Sequence, residues 1–140
     1  DQIGDDNRSD VGQLNSLALL DFGIVDVNQS GSFNESEVGQ EGGTTFAQVN
    51  QSNFSNYSSI LQSGSNLSAI ATQSGQENDS WIEQDGNANS ATLTATGDFN
   101  SSTIWQGLSG NTADVLQMTN ANSSLVDQSL STNGMATVVQ

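Results

Sequence analysis

A chain of 140 residues is long enough for one domain, and its low apolar content beside abundant Ser, Asn, Gln and Gly would by itself argue for disorder. The formal net charge of −15, with Arg8 the single side-chain cation, argues against nucleic acid and anionic membranes as partners. With no His, Cys or Lys the chain lacks a common general base near neutrality, a thiolate and a Schiff-base amine, and no apolar run of about eighteen residues is present to span a membrane.

From the start, Gln2 and Gly4 match the end of a repeated unit that continues as Asn7-Arg-Ser9-Asp-Val11-Gly-Gln13. No leader pattern opens the sequence, so either a mature secreted chain or one that is not secreted is expected. Leu14 to Phe22 fill nine positions where the later units leave four, and are read as an enlarged arc whose apolar Leu17-Ala-Leu-Leu20 either tucks against a neighbour or simply lengthens the strand. From Gly23 a strict period of eleven begins, with unit starts at Gly23, Asn34, Thr45, Asn56, Leu67, Asn78, Asn89, Asn100, Asn111, Asn122 and Asn133. A fixed period is the signature of a stacked architecture. The fifth position is aliphatic in every unit but the last: Val27, Val38, Val49, Ile60, Ala71, Ile82, Leu93, Ile104, Val115 and Val126, then Thr137. The seventh is Gln29, Gln40, Gln51, Gln62, Gln73, Gln84, Gln106, Gln117 and Gln128, interrupted by Ala95 and ending on Val139. Two residues further on, Gly31, Gly42, Gly64, Gly75, Gly86 and Gly97 recur as turn signals.

The third position alternates Ser36, Ala47, Ser58, Ala69, Ser80, Ala91, Ser102, Ala113, Ser124, so the true repeat is 22 residues made of a Ser half and an Ala half. Positions one, three, five and seven share one parity, which over seven residues is a β-strand with those side chains on one face. The predicted fold is all-β: a parallel cross-β solenoid of two strands and two arcs per 22-residue coil, about six coils, each strand in register about 4.8 Å above its counterpart. Residues 1–22 are read as N-terminal half-repeats with the enlarged arc, and 23–140 as the regular solenoid, a single domain overall. Inside, the apolar core is Val27, Val38, Val49, Ile60, Ile82, Leu93, Ile104, Val115 and Val126, with small third positions facing branched fifth ones. The ladder residues are Asn34, Gln40, Asn56, Gln62, Gln73, Asn78, Gln84, Asn89, Asn100, Gln106, Asn111, Gln117, Asn122 and Gln128, whose amides must bond along their columns because an unpartnered buried amide costs about 1–3 kcal/mol. The acids from Asp26 to Asp127 all fall on outward positions or in arcs, although they played no part in setting the frame. Phe22, Phe33, Phe54 and Phe99 are expected to close one narrow edge, while Phe46, Tyr57, Trp81 and Trp105 point outward, either as scattered surface aromatics or as a lateral contact between filaments or with a partner. The last unit, from Asn133, is degenerate and has no capping repeat after it.

The pattern Ser/Asn-x5-Gln-x-Gly-x2-Asn-x-Ala-x3-Gln resembles the curlin repeat of bacterial curli fibre subunits. Asn56, Gln62, Gly64, Ala69 and Gln73 carry it, with Asn66 displaced by one from its expected place at Leu67. Asn78, Gln84, Gly86, Asn89 and Ala91 carry it with a departure at Ala95, and Asn100, Gln106, Asn111, Ala113 and Gln117 carry it with Leu108 in place of Gly. The resemblance implies a secreted functional amyloid of the biofilm matrix, closer to the major subunit than to the nucleator. It also implies a nucleating minor subunit and a dedicated outer-membrane secretion channel as partners. The function expected is a structural subunit that polymerises end to end into an extracellular, cell-surface adhesive fibre, not an enzyme. The paired carboxylates Glu35/Glu37 and Glu83/Asp85 sit on exposed strand faces without the cleft a glycosidase needs. The alternative is a monomeric secreted β-solenoid that binds divalent cations or ice. The eleven-residue period, the lone Glu41-Gly42-Gly43 and the short Thr92/Thr94 pair fit those readings less well.

Overall fold

The computed structural model describes residues 1–15 and 22–140, and the apolar Leu17–Leu20 segment lies outside the described residues. Every element is a β-strand, numbered here along the chain, and no helix is long and apolar enough to cross a membrane among the described residues. One sheet has seven strands in the order β1 (Gln2–Ile3), β3 (Gly23–Ser32), β5 (Thr45–Phe54), β7 (Leu67–Gln76), β9 (Ser90–Thr96), β11 (Thr112–Gln117) and β13 (Met135–Val139). The other has six, β2 (Arg8–Asn15), β4 (Glu35–Gly42), β6 (Tyr57–Ser65), β8 (Asp79–Asn87), β10 (Ser101–Gln106) and β12 (Ser123–Gln128). Successive strands alternate between the sheets and every ladder is parallel, so the chain winds as a β-solenoid with the Ala halves on one wall and the Ser halves on the other.

Pairing steps by 22 residues through the body of the stack: Ile60 lies beside Ile82, Ile82 beside Ile104, and Ile104 beside Val126. The first step is 27 residues, since Ser9 pairs with Ser36 and Gln2 with Gln29, and the five extra residues fall between β2 and β3. Alternation of small and branched side chains fills the space between the walls. Val38, Ala47, Val49, Ile60, Ala69, Ile82, Leu93 and Ile104 are all at most 1% exposed and form one cluster with Ala71, Ala91, Ala95, Ala113, Val115 and Val126. Val25 and Val27 pack against this cluster only partly buried. From Gly23 to Asp127 none of the acids is buried.

Most arcs carry two residues with positive φ. The first is the glycine two places after the Gln position: Gly31, Gly42, Gly64, Gly75, Gly86 and Gly97 have φ between 100° and 134°. The second immediately precedes position one and is hardly ever glycine: Phe33, Ser55, Asn66, Glu77, Ala88, Phe99 and Ala121 have φ between 52° and 61°. Left-handed backbone at such residues costs about 1–2 kcal/mol each, so the stack must hold them in place.

The last coil departs from the frame expected of it. Thr112 pairs with Met135 and Val115 with Val138, a step of 23 residues. The final unit therefore starts at Gly134, not Asn133. Asn133, with φ 54°, occupies the left-handed position before it. Ala136, Val138 and Gln140 take the third, fifth and seventh places, and Met135 and Val139 face solvent. A slip of one residue exchanges the two faces of a strand, so burying Ala136 and Val138 in place of Met135 and Thr137 fixes the register.

The phenylalanines also depart from expectation. Phe22 precedes β3 and its carbonyl accepts from Thr45 N, whereas Phe54 ends β5 and Phe33 and Phe99 follow β3 and β9, all strands of the seven-stranded sheet. Phe22 therefore lies on the opposite narrow edge from the other three. All four are 43–65% exposed, so they line the edges without closing them. Phe33 and Phe54 meet edge to face at 5.3 Å.

Candidate functional site: amide ladders and two unlike faces

The inward amide columns make the stack itself the candidate site. Glutamines at position seven point inward and run as two columns. On the Ser wall Gln13 Nε2 donates to Gln40 Oε1, Gln40 to Gln62, Gln62 to Gln84, Gln84 to Gln106 and Gln106 to Gln128, all at 2.7–3.0 Å. From Gln40 onward the second amide hydrogen goes across the core to the backbone carbonyl sixteen residues earlier, as in Gln62 to Phe46 and Gln84 to Ser68. On the Ala wall Gln2 donates to Gln29, Gln29 to Gln51 and Gln51 to Gln73. The column then meets Ala95, resumes at Gln117 and ends with Gln117 donating to Gln140. Gln117 Oε1 is left buried without a hydrogen-bond partner, because the donor its neighbours would lead one to expect is missing at position 95.

Asparagines at position one form the complementary column on the Ser wall. Asn7 Oδ1 accepts from the backbone N–H of Asn34, and the same bond repeats from Asn34 to Asn56, Asn56 to Asn78, Asn78 to Asn100 and Asn100 to Asn122 at 3.0–3.1 Å. Asn34, Asn56, Asn78 and Asn100 are at most 1% exposed, while Asn122 is half-buried. On the Ala wall the column is shorter: Asn89 Oδ1 accepts from Asn111 N and Asn111 Oδ1 from Gly134 N, while Gly23, Thr45 and Leu67 hold that place below. Thr45 and Leu67 are both 2% exposed, and Asn66 sits one place early in the left-handed position. Both ladders have direction. Each Gln gives its amide hydrogen towards the β12 end, and each Asn carbonyl receives from that end.

Gln2, Asn7, Gln13, Gln29, Gln51 and Gln140 belong to the same ladders, although the set expected from the sequence omits them. The first five lie in frame and were legible there. Gln140 was hidden by the one-residue slip, although Ala136-x-Val138-x-Gln140 is an intact Ala-half signature.

The serines at position three of the Ser wall stack less completely. Ser80 Oγ donates to Ser58 Oγ and Ser102 bonds Ser124, but Ser36 Oγ has no partner. Ser59, which by parity faces outward, is nonetheless fully buried with its Oγ unpartnered. It lies in the column between the long side chains of Glu37 and Trp81, with Tyr57 two residues before it.

The two outward faces differ. On the six-stranded sheet the columns carry Asp10, Glu35, Glu37, Glu41, Asp79, Glu83, Asp85 and Asp127, together with Tyr57, Trp81 and Trp105. Trp105 is 41% exposed, and Tyr57 and Trp81 are half-buried. Arg8 pairs with Glu35 at 2.9 Å at the β2 edge. Tyr57 and Asp79 are neighbours in one column. Partial burial and the nearby Glu37 carboxylate push the Tyr57 hydroxyl up, and partial desolvation raises Asp79 above its usual 3.8. The Ser129 hydrogen bonds hold exposed Asp127 down. On the seven-stranded sheet the first outward column reads Ile24, Phe46, Ser68, Ser90, Thr112, Met135. The second reads Asp26, Gln48, Ile70, Thr92, Asp114, Thr137, and the third Asn28, Asn50, Thr72, Thr94, Leu116, Val139. Only Asp26 and Asp114 are charged in these columns, and Asp26 accepts from Asn28 and Gln48 at 3.1 Å.

Filling the gap in the Ala-wall column should stabilise the protein. In Ala95→Gln the new amide would accept from Gln73 Nε2 and donate to Gln117 Oε1, removing an orphan worth about 1–3 kcal/mol. The expected result is a thermal midpoint higher by roughly 3–12 °C. A midpoint that falls would show the space at position 95 is already filled by its neighbours.

Residues 55–86 match the family model described as curlin associated repeat. That stretch spans β6, β7 and most of β8, the coil in which the Asn, Gln and Gly columns are all unbroken except at Leu67. No curated protein matches the chain, and no solved structure does.

Proposed function

We propose that this chain, which carries the curlin associated repeat, is the structural subunit of a curli-like extracellular amyloid fibre, polymerising end to end by coil stacking and supporting biofilm matrix and adhesion. The observation that carries the reading is the translational sameness of the stack. At the inward positions the β2 end repeats the β12 end, Asn7, Ser9, Val11 and Gln13 against Asn122, Ser124, Val126 and Gln128, and the ladders that join neighbouring coils have a donor sense at one end and an acceptor sense at the other. Gln128 and Asn122 present the groups that Gln13 and Asn7 would meet in a copy placed above, just as Gln106 and Asn100 meet Gln128 and Asn122 within the chain. Among the described residues β2 and β12 each have one pairing partner, so each offers a free row of backbone N–H and C=O groups. Stacking another copy in register repeats bonds the chain already makes.

Electrostatics opposes that step and supplies the test. A copy arriving at an end brings the same charge of −15, concentrated on the six-stranded face. Repulsion among exposed carboxylates is screened over about 8 Å at 0.15 M salt but reaches about 30 Å at 0.01 M. Growth measured by light scattering or dye fluorescence is therefore expected to quicken several-fold over that range of salt. Acid should act in the same direction. Asp79, whose carboxyl is raised in the folded chain, disfavours the folded, stacked state as pH climbs through its folded value, and the penalty is absent below the ordinary 3.8. Asp79→Asn should accordingly speed growth at neutral pH and weaken the acid dependence. A growth rate flat in ionic strength, with filaments still forming, would remove charge repulsion from the account.

A further inference from the structure

We propose that the outward face of the seven-stranded sheet is where a second filament of the same chain docks, sheet to sheet, while the six-stranded face stays in solvent. The inference rests on the filament reading and adds to it which surface pairs and when. The charge is partitioned between the walls: eight carboxylates, from Asp10 to Asp127, point outward from the six-stranded sheet and two, Asp26 and Asp114, from the other. Any copy that approaches carries the same −15, so contact through the acidic face sets one cluster of carboxylates against its duplicate. Contact through the other face sets Asp26 and Asp114 alone against their counterparts, and Asp26 already has its oxygens occupied by Gln48 and Asn28. Like charges about 5 Å apart across a drying contact repel by several kcal/mol at an effective dielectric near 20. The near-neutral face is therefore the surface open to self-contact.

Its side chains suit that contact. Ile24 is 57% exposed, and Phe46, Ile70 and Leu116 are partly exposed on a parallel, in-register sheet. Thr72 and Thr94 stand in one column beside them, short and β-branched, the shape that lets two sheets close to about 10 Å. The aromatic residues of the opposite face do not compete for the role, because Tyr57, Trp81 and Trp105 are interspersed with Glu37, Asp79 and Glu83. Extent sets the condition for pairing. Six coils at about 4.8 Å and an outward strand width of about 20 Å give roughly 600 Å² per copy, or about 1,200 Å² in all, the lower end of stable interfaces. One pair of subunits is therefore weakly held. A filament repeats the contact at every subunit, and the linked contacts add. Pairing should follow filament growth, not precede it.

Mass per length by scanning transmission electron microscopy reads this directly. Wild-type filaments are expected at two chains per coil stack, while unassembled protein sediments as a monomer. The double variant Ile70→Glu/Thr94→Glu should grow at a rate within about twofold of wild type and give half the mass per length. Ser101→Glu/Thr103→Glu, which adds the same charge to the other face, should keep the full value. Asp114→Asn, which places no new bulk, should let pairing set in at lower salt, and Glu83→Gln should not. Single wild-type filaments, paired filaments of the Ile70→Glu/Thr94→Glu variant, or an Asp114→Asn protein that pairs as wild type would overturn the assignment of the face. Wild-type protein that never forms filaments would instead overturn the reading beneath it.

Discussion

Replacing Ile82 by Asp should abolish folding and assembly together, while Glu83→Lys, one residue along the same strand, leaves both in place. Ile82 is fully buried, with Ile60 and Ile104 as its register neighbours in the core cluster. Removing its side chain forfeits about 2–5 kcal/mol of packing. The carboxylate that replaces it has no cation within the core, and an unpaired buried charge adds several kcal/mol more. A domain of this size holds about 5–15 kcal/mol in all. Glu83 is exposed between Leu61 and Trp105 in its column, so a lysine there relieves like-charge repulsion and touches no buried group. Far-ultraviolet circular dichroism and filament growth rate check the pair. A Glu83→Lys chain as disrupted as Ile82→Asp would reverse the assignment of inside and outside.

That contrast is available from the sequence because a strand's side-chain period of two leaves no freedom once one inward residue is known. Val38, Ile60 and Ile82 mark the parity, and eleven-residue spacing carries it from coil to coil. The arcs obey no such rule. One extra residue between Gln128 and Gly134 leaves the strand pattern intact and only shifts its phase, so Asn133 looked like another unit start because other units start with Asn. The backbone separates the two cases: Asn133 has the left-handed φ that Ala121 and Phe99 have just before position one. Those left-handed residues are Phe, Ser, Asn, Glu and Ala, a set with no shared chemistry, so nothing in the sequence marks them. The separation of the phenylalanines onto two edges was hidden similarly, since Phe22 and Phe33 both end arcs but the arcs alternate sides. The burial of outward Ser59 depends on the lengths of its neighbours Glu37 and Trp81, which parity does not weigh. The orphaned acceptor of Gln117 could have been anticipated, because Ala95 was visible as a break in the Gln column and the column's bonds run in one sense.

The glycines give the second large effect. Gly64→Val is expected to unfold the chain or cost upwards of about 4 kcal/mol, and Gly12→Val to leave stability unchanged or slightly improved. Gly64 has φ 134°, a conformation closed to β-branched residues. Space forbids the substitution a second time, because a Cβ there would lie 1.9 Å from the carbonyl oxygen of Gly86 in the next coil. The same holds up the column, where Gly42 would meet Gly64 and Gly86 would meet Leu108. The requirement thus comes from stacking at about 4.8 Å as much as from the bend itself. Positive φ alone does not demand glycine in this fold: Phe33, Glu77 and Ala88 adopt it before position one, and Asn53 holds a glycine place with φ 77°. Gly12 lies within β2, has no left-handed φ, and leaves open space to 4 Å around the point a Cβ would occupy, so a β-branched side chain there meets only solvent and suits the strand. Thermal melts of the two variants decide the matter. If Gly64→Val melted with wild type, the arcs could not be stacked carbonyl upon glycine, and a copy could not settle on the end of the chain by repeating that contact.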